Sequence, residues 1–187
     1  ETKKNVYVDI SINEGNKYFF GESIISGKTN KDIPKESLEA QIGTAKGDIF
    51  SRAKVTATTA RINQILGDFG YAFSNANAIP EVNKETRTVD FNYFIDPGKK
   101  IYVRRFNFFG NEKTRDSVIR RELRQFESSW YSKTKVDRSK TRLSNTQYFD
   151  AIDVETVSVA GVTDQIDINI YLKERNTGKL MLGAGVS

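Results

Sequence analysis

The 187-residue sequence contains neither cysteine nor histidine. The lack of cysteine excludes a disulfide framework and a thiolate metal site, and the lack of histidine removes the commonest general base and the commonest metal ligand. The sequence also lacks the long apolar runs that a membrane-spanning helix needs. We therefore predict that the protein is not an enzyme and has no catalytic residue, no cofactor and no metal site.

What the sequence does contain is an internal repeat. Gly15 and Gly27 flank a segment rich in aromatic and β-branched residues, and Gly98 and Gly110 flank a similar segment. Each glycine of the second pair follows its counterpart by 83 residues. This repeat predicts two tandem units, each large enough to have a hydrophobic core of its own.

Both copies have the pattern of strand, helix, helix, strand and strand. In the second helix of the first copy, Val55, Ile62 and Leu66 form an apolar stripe at helical spacing. The corresponding helix of the second copy is shorter by about one turn, which keeps its apolar face directed inward. The predicted elements lie at 17–26, 34–42, 52–69, 71–82 and 87–95 in the first copy and at 101–109, 116–126, 133–146, 150–159 and 165–173 in the second.

Residues near both ends of the chain are expected to belong to neighbouring units. Residues 5–13 alternate between apolar and polar side chains, as residues 87–95 do, and so they predict the last strand of a preceding copy. Residues 180–186 are apolar and rich in glycine, a pattern compatible with the first strand of a following structure.

Positive charge is concentrated in the second copy, where residues 99–142 contain 14 basic and 5 acidic side chains. Such a block is either the solvated face of helices or a surface for anionic partners or lipid headgroups. An RNA-binding unit is the alternative function, because basic and aromatic side chains together can hold phosphates and stack on bases. The order of the aromatic residues does not match an RNA-recognition motif. The residues concerned are Arg104, Arg105, Arg120, Arg121, Arg124 and Lys133, with Tyr102, Phe106 and Phe108.

Most aromatic residues are expected in the core. Trp130 is the expected exception, because it lies in a Ser-Ser-Trp-Tyr-Ser segment between two predicted helices.

Three segments carry a family resemblance: the Phe69-Gly70-Tyr71 turn, the arginine-rich run at 118–127 and the Lys-Glu-Arg-Asn-Thr-Gly junction at 173–178. With the double copy of elements, they resemble the BamA family of outer-membrane protein assembly factors, and the resemblance covers essentially the whole chain. It implies an α+β fold of tandem polypeptide-transport-associated (POTRA) domains, each a three-stranded mixed sheet packed against two antiparallel helices. Gln147 departs from the pattern, since the family usually has glycine there.

The resemblance also implies a division of the chain into domains. Residues 1–14 would be the last strand of a third POTRA domain, residues 15–97 the fourth domain, and residues 98–176 the fifth, membrane-proximal domain. Residues 177–187 would start the first strand of a membrane barrel.

The function implied is that of a periplasmic scaffold on a Gram-negative outer membrane, near the membrane surface through the adjoining barrel. It would work with the lipoproteins of the Bam complex to insert unfolded outer-membrane protein precursors. Neither a reaction nor a nucleic-acid partner is implied. The helix that carries Arg120 and Arg124 would face a lipoprotein, with Glu127 at its acidic end.

In this fold the fourth element of each copy is an edge strand, whose unpaired backbone groups can accept another chain. A client strand could add there by β-augmentation, through main-chain hydrogen bonds that tolerate many sequences. Pro80 is expected to obstruct only the end of the first edge, and the second edge has neither proline nor lysine. The predicted client-binding residues are Tyr71, Phe73 and Asn75 in the first copy and Ile152, Val154 and Thr156 in the second.

Overall fold

The computed structural model describes residues 8–11, 15–28 and 32–176. In this part of the chain no helix is both long and apolar enough to cross a membrane. The first unit contains β1 (Phe19–Gly27), α1 (Lys35–Glu39), α2 (Arg52–Asp68), β2 (Asn75–Asn83) and β3 (Thr88–Asp96). The second contains β4 (Tyr102–Phe109), α3 (Asp116–Glu122), β5 (Ser129–Trp130), α4 (Lys133–Asn145), β6 (Phe149–Ser158) and β7 (Gln165–Glu174).

Each unit has a mixed sheet whose last strand in the chain lies next to the first. The first sheet has the order β1-β3-β2, with β1 parallel and β2 antiparallel to β3. The second has the order β5-β4-β7-β6, with β4 parallel and β6 antiparallel to β7. The α+β class and the three-stranded mixed sheet are confirmed, and β5 is an addition that was not predicted.

Each sheet packs against its own hydrophobic core. In the first core α2 contributes the predicted stripe of Val55, Ile62 and Leu66. In the second core α4 contributes Val136 and Leu143. α4 is four residues shorter than α2, 13 against 17, as the sequence predicts.

The end of α2 shows why Gly70 is required there. Gly70 has φ +101°, its N–H donates to the carbonyl of Gly67, and the N–H of Tyr71 donates to the carbonyl of Leu66. This pair of bonds is the Schellman motif, which needs a left-handed residue. Gln147 has the corresponding position after α4 and takes φ +60° without being glycine. The backbone conformation of the family pattern is therefore kept although the glycine is not.

Three sequence predictions are wrong in detail. Residues 71–74 are not part of a strand, since β2 begins at Asn75. α3 ends at Glu122 rather than at 126, because Leu123 has an extended ψ of 143°. Phe126, expected on the apolar stripe of α3, is 67% exposed.

The predicted segments at the chain ends lie mostly outside the described residues. Of residues 5–13, only 8–11 are described, and they are exposed and form no strand. Residues 177–187, predicted to start a barrel strand, lie outside the described residues.

Candidate functional site

The strand β6 is an open edge of the second sheet. It pairs with β7 on one side only, over the ten residues from Phe149 to Ser158. None of these residues is proline or lysine, the side chains that most often protect an edge. A second extended chain could therefore pair along most of its length.

The free backbone groups of β6 can be assigned from its hydrogen bonds. The N–H of Val154 donates to the carboxylate of Asp153 at 3.0 Å, so it faces the edge, whereas the N–H of Val159 donates inward to Gln165. Since backbone groups alternate along an antiparallel pair, the N–H and C=O of Ile152, Val154 and Thr156 are directed outward. The predicted residues of β6 are thus those whose backbone can bind another strand.

The strand β2 is also an edge, but Pro80 interrupts it. Pro80 pairs with Phe91 in the interior of β2, not at its end as the sequence suggested. Proline is tolerated on an edge strand only where its missing N–H would face outward. The free edge of β2 therefore lacks a donor in its middle.

The predicted client residues of the first unit mostly do not belong to this edge. Tyr71 is 2% exposed in the first core, and Phe73 lies in the turn before β2 with half of its surface exposed. Asn75 is the first residue of β2 and pairs with Asp96. Only Asn75 is on the strand, so β6 is the better developed of the two edges.

A groove lies between each edge strand and the long helix of its unit. The first groove has a volume of about 670 Å³ and is lined by Arg52 and Val55 of α2. The second, of about 550 Å³, is lined by Lys133 and Val136 of α4. Each basic residue is the first of its helix and each valine follows it by three, so the grooves are equivalent sites of the repeat.

The proposed partner residues Arg120, Arg124 and Glu127 do not share one helix. Arg120 lies on α3, whereas Arg124 and Glu127 follow its end. The carboxylate of Glu127 accepts from the N–H of Phe106 at 2.8 Å and from the guanidinium of Arg120 at 3.0 Å. These donors hold the pKa of Glu127 below its ordinary value, the Phe106 bond contributing most. Glu127 therefore satisfies a free N–H of β4 while its side chain remains about one-third exposed.

Arg124 is held by bonds, each of which involves one backbone group. Its N–H donates to the hydroxyl of Ser139 on α4, and its guanidinium donates to the carbonyl of Leu123 at 3.0 Å. Arg120 also lies over the ring of Phe108, 5.0 Å from its centroid. Arg120 and Glu127 are thus bonded to each other, whereas Arg124 bonds to Ser139 of α4 and to the carbonyl groups of its own segment.

The surface considered for RNA binding is not assembled. Asp167 accepts two bonds from Arg104, at 2.7 and 2.6 Å, and one from Arg105 at 3.1 Å. The Arg104 bonds are the main reason why the pKa of Asp167 falls to about 2. Phe106 is buried at 5% exposure and cannot stack on a base. We find no support for the RNA alternative in this arrangement.

Trp130 is partly exposed, as expected from its segment. Its ring lies on Tyr102 with centroids 3.8 Å apart, and the ammonium of Lys100 is 4.8 Å from its centroid. β5 thus covers the beginning of β4 with an aromatic pair.

Sequence reasoning missed Asp68, the last residue of α2. Its carboxylate accepts from the hydroxyl of Ser132 at 2.8 Å, from the N–H of Thr134 at 2.7 Å and from the hydroxyl of Thr134 at 2.6 Å. Asp68 therefore caps the first turn of α4 in the other unit. An acidic residue at the C-terminal end of a helix is unfavourable by itself, and this was the available signal of an external partner.

Within the described residues no group of three or more histidine, cysteine, aspartate or glutamate side chains could hold a metal ion.

Comparison with known proteins places these features in a family. The profile of the POTRA family, described as a surface antigen variable number repeat, matches residues 18–98 and again residues 101–175. The two matches together cover most of the chain.

The chain is also similar to proteins named outer membrane protein assembly factor BamA. The one from Neisseria meningitidis serogroup B is 42% identical over 185 residues, which are 99% of this chain and 23% of that protein. The chain therefore spans about a quarter of the length of this relative. Among solved structures, BamA POTRA3-5 from Haemophilus influenzae has a TM-score of 0.80 at 28% identity over 86% of this chain and 63% of that one. BamA from Haemophilus ducreyi lacking POTRA domains 1-3 has a TM-score of 0.74 at 36% identity, over 87% and 30%.

Proposed function

Since the chain belongs to the POTRA family, we propose that it is a periplasmic module of a machinery that assembles outer-membrane proteins. This proposal is supported by the similarity to BamA proteins over nearly the whole chain. The module binds other proteins and carries out no reaction. Its location is the periplasmic side of a Gram-negative outer membrane, next to the membrane surface.

We assign residues 15–97 and 98–176 to two successive POTRA domains, the fourth and fifth of the longer protein. Residues 1–14 would then complete a preceding domain, and residues 177–187 would start the barrel. The two separate sheets and cores agree with this division.

The client-binding function rests on the open edge of β6. An unfolded precursor in extended conformation would pair with the outward N–H and C=O groups of Ile152, Val154 and Thr156. Because every polypeptide has the same backbone, this binding would accept many precursor sequences. The carboxylate of Asp153 occupies the N–H of Val154 while the edge is free, so a client would displace it.

The test is a titration of an alternating apolar and polar peptide into isotope-labelled protein, followed by the amide resonances. We expect shifts along β6, and weaker ones along β2. Thr156→Pro removes one outward donor without breaking the pairing with β7, and it should weaken peptide binding about threefold to tenfold, the effect of one hydrogen bond.

Glu155→Ala is the matched control, because its carboxylate lies near the hydroxyl of Tyr171 and its backbone faces β7. It should bind the peptide as the unmodified protein does. Peptide-induced shifts confined to the helices, with none along β6 or β2, would contradict the proposal.

A lipoprotein of the Bam complex is the proposed partner for the region of Arg120, Arg124 and Glu127. The exposed part of the Glu127 carboxylate would meet a basic side chain of that partner. A charge pair at an interface contributes to specificity and can cost several kcal/mol when it is removed.

Glu127→Gln separates this role from the structural one. Glutamine keeps an acceptor for the N–H of Phe106 but loses the charge, so we expect only a small fall in the melting temperature, from the weaker bonds to Phe106 and Arg120, and at least tenfold weaker lipoprotein binding. Glu127→Lys should lose both the Phe106 bond and the lipoprotein. If the glutamine variant binds the lipoprotein normally in a pull-down and only the lysine variant fails, then Glu127 acts through the fold and the proposed contact is wrong.

A further inference from the structure

The groove beside β6 is shared by both domains. Its first wall consists of α4 and the half-buried side chains of β6 that face the helices. Its second wall consists of α2 and the segment that follows it in the first domain. The lining side chains used below are Val136, Val154 and Thr156 of the second domain and Ala60, Asn63 and Gln64 of the first.

This sharing is specific to the second edge. The groove beside β2 is lined only by residues between Tyr18 and Phe91, which all belong to the first domain. The first domain also contributes to the hydrophobic core of the second. Its Ala72 packs against that core beside Ile152 and Val154 of β6. The first domain is therefore a structural wall of the β6 site.

A strand added to β6 would lie about 4.8 Å from it, with alternate side chains directed to the helix side of the sheet. Those side chains would enter the groove and meet α2. The wall offers polar groups: the amide oxygen of Asn63 is buried without a donor among the described residues. Lys140 also lines the groove and has no ionic partner in the described ranges, whereas Lys133 pairs with Asp137. The suitable occupant is an extended polypeptide with apolar side chains toward Val136 and Val154, polar ones toward Asn63 of α2, and an acidic one toward Lys140 of α4.

We propose that a strand added to β6 is held by both domains at once, its backbone by β6 and its side chains by α2 of the first domain. This inference rests on the edge-strand binding of the proposed function and adds the first domain to that site. Asp68 is the positioning residue, because its three bonds to Ser132 and Thr134 fix α2 against α4 and so set the width of the groove.

A matched pair of substitutions on α2 tests the wall. Ala60 and Ala53 are both exposed residues of α2, but only Ala60 lines the groove. Ala60→Gln places a longer side chain in the path of the client and should weaken binding of an alternating peptide at least fivefold. Ala53→Gln makes the same change outside the groove and should leave the affinity unchanged. In the unmodified protein the peptide should shift the amides of Ala60, Asn63 and Gln64 as well as those of β6.

Peptide-induced shifts along β6 with none on α2, or equal affinity in both glutamine variants, would overturn the two-domain site while the edge-strand function stands. The absence of shifts along β6 in the unmodified protein would instead contradict the proposed function itself.

Asp68→Ala tests the positioning role. Asp68 is exposed at the end of α2, so the domains should remain folded. We expect the peptide to shift β6 as before but no longer α2, with weaker affinity. Asp48→Ala removes a carboxylate whose bonds, among the described residues, go to Ala45 and Lys54 of its own domain, and it should keep both sets of shifts. If the peptide still shifts the α2 amides in the Asp68→Ala variant, then Asp68 does not set the width of the groove.

Discussion

Asp167 illustrates how single residues of the outer sheet face are bound to one another. Its carboxylate is 11% exposed and accepts a bidentate contact from Arg104 in addition to a bond from Arg105. Charge-assisted bonds of this kind are among the stronger ones in proteins. They join β4 to β7. They also pair Arg104 and Arg105 within the domain, although the sequence made both arginines candidates for binding an external anion.

Acid should therefore destabilise the second domain through Asp167. The folded pKa is lowered from 3.8 to about 2. The ionised carboxylate of Asp167 therefore contributes fully to the free energy of unfolding above about pH 4, and this contribution is lost as the pH falls through 2. We expect Asp167→Asn to lower the unfolding free energy at pH 7 by about 1–2 kcal/mol and to reduce the pH dependence between 4 and 2. Denaturant unfolding across this range measures both effects, with Asp116→Asn as a control. An unchanged pH dependence would show that the arginine contacts are not stabilising.

At the scale of elements, the two edge strands differ although each lies beside a groove at the same position of the repeat. β6 has an uninterrupted row of outward donors, whereas β2 has Pro80 in its interior. We therefore expect the proposed strand addition to be stronger at β6 than at β2.

Pro80→Ala should restore the missing donor of β2. The side chain of alanine fits a strand and the pairing with Phe91 is unaffected, so we expect little change in stability and stronger peptide-induced shifts along β2. The gain in affinity at that edge should be about threefold to tenfold, as for one hydrogen bond. Shifts along β6 provide the internal control and should not change. If the peptide causes no stronger shifts along β2 in the variant, then Pro80 is not what weakens peptide binding at this edge.

At the scale of the whole molecule, the two domains are joined by contacts as well as by the chain. The N–H of Ile101 in the second domain donates to the carbonyl of Gly70 in the first at 2.8 Å. Close contact is reached at Gly67, where an added Cβ would lie 2.7 Å from the Cβ of Lys133. We therefore expect limited hinge freedom between the domains, because these contacts and the cap by Asp68 both hold α2 against α4.

Gly67→Ala should loosen this joint. Alanine is favoured over glycine in a helix by about 1 kcal/mol, but its methyl group forces the first turn of α4 away from α2. We expect a net loss of about 1–3 kcal/mol, typical of overpacking, and residual dipolar couplings that show greater freedom between the domains. Gly43→Ala is the control, because its added methyl would meet only the terminal guanidinium of Arg61. Unchanged couplings in the Gly67 variant would mean that the contact does not restrain the domains.

The sequence by itself determined the repeat, the order of the main elements and the shorter α4. These features depend on periodicity and on turn residues such as Gly70, which can be seen along the chain. The family resemblance was likewise visible in short local segments. Alternation along the predicted strand separated Ile152, Val154 and Thr156 from their neighbours, and the family resemblance implied that this strand is an edge.

Only the tertiary structure decided where α3 ends, that β5 exists, and what Glu127 and Asp68 contact. Gln125, 1% exposed, bonds to Ser129 and to the backbone of Trp130 and Ser132, and these bonds replace the last turn expected of α3. Asp68 meets Thr134 across 66 residues of sequence. Such contacts depend on how two separately patterned units pack together, and hydrophobic periodicity carries no information on that because it reports only the inward face of each element.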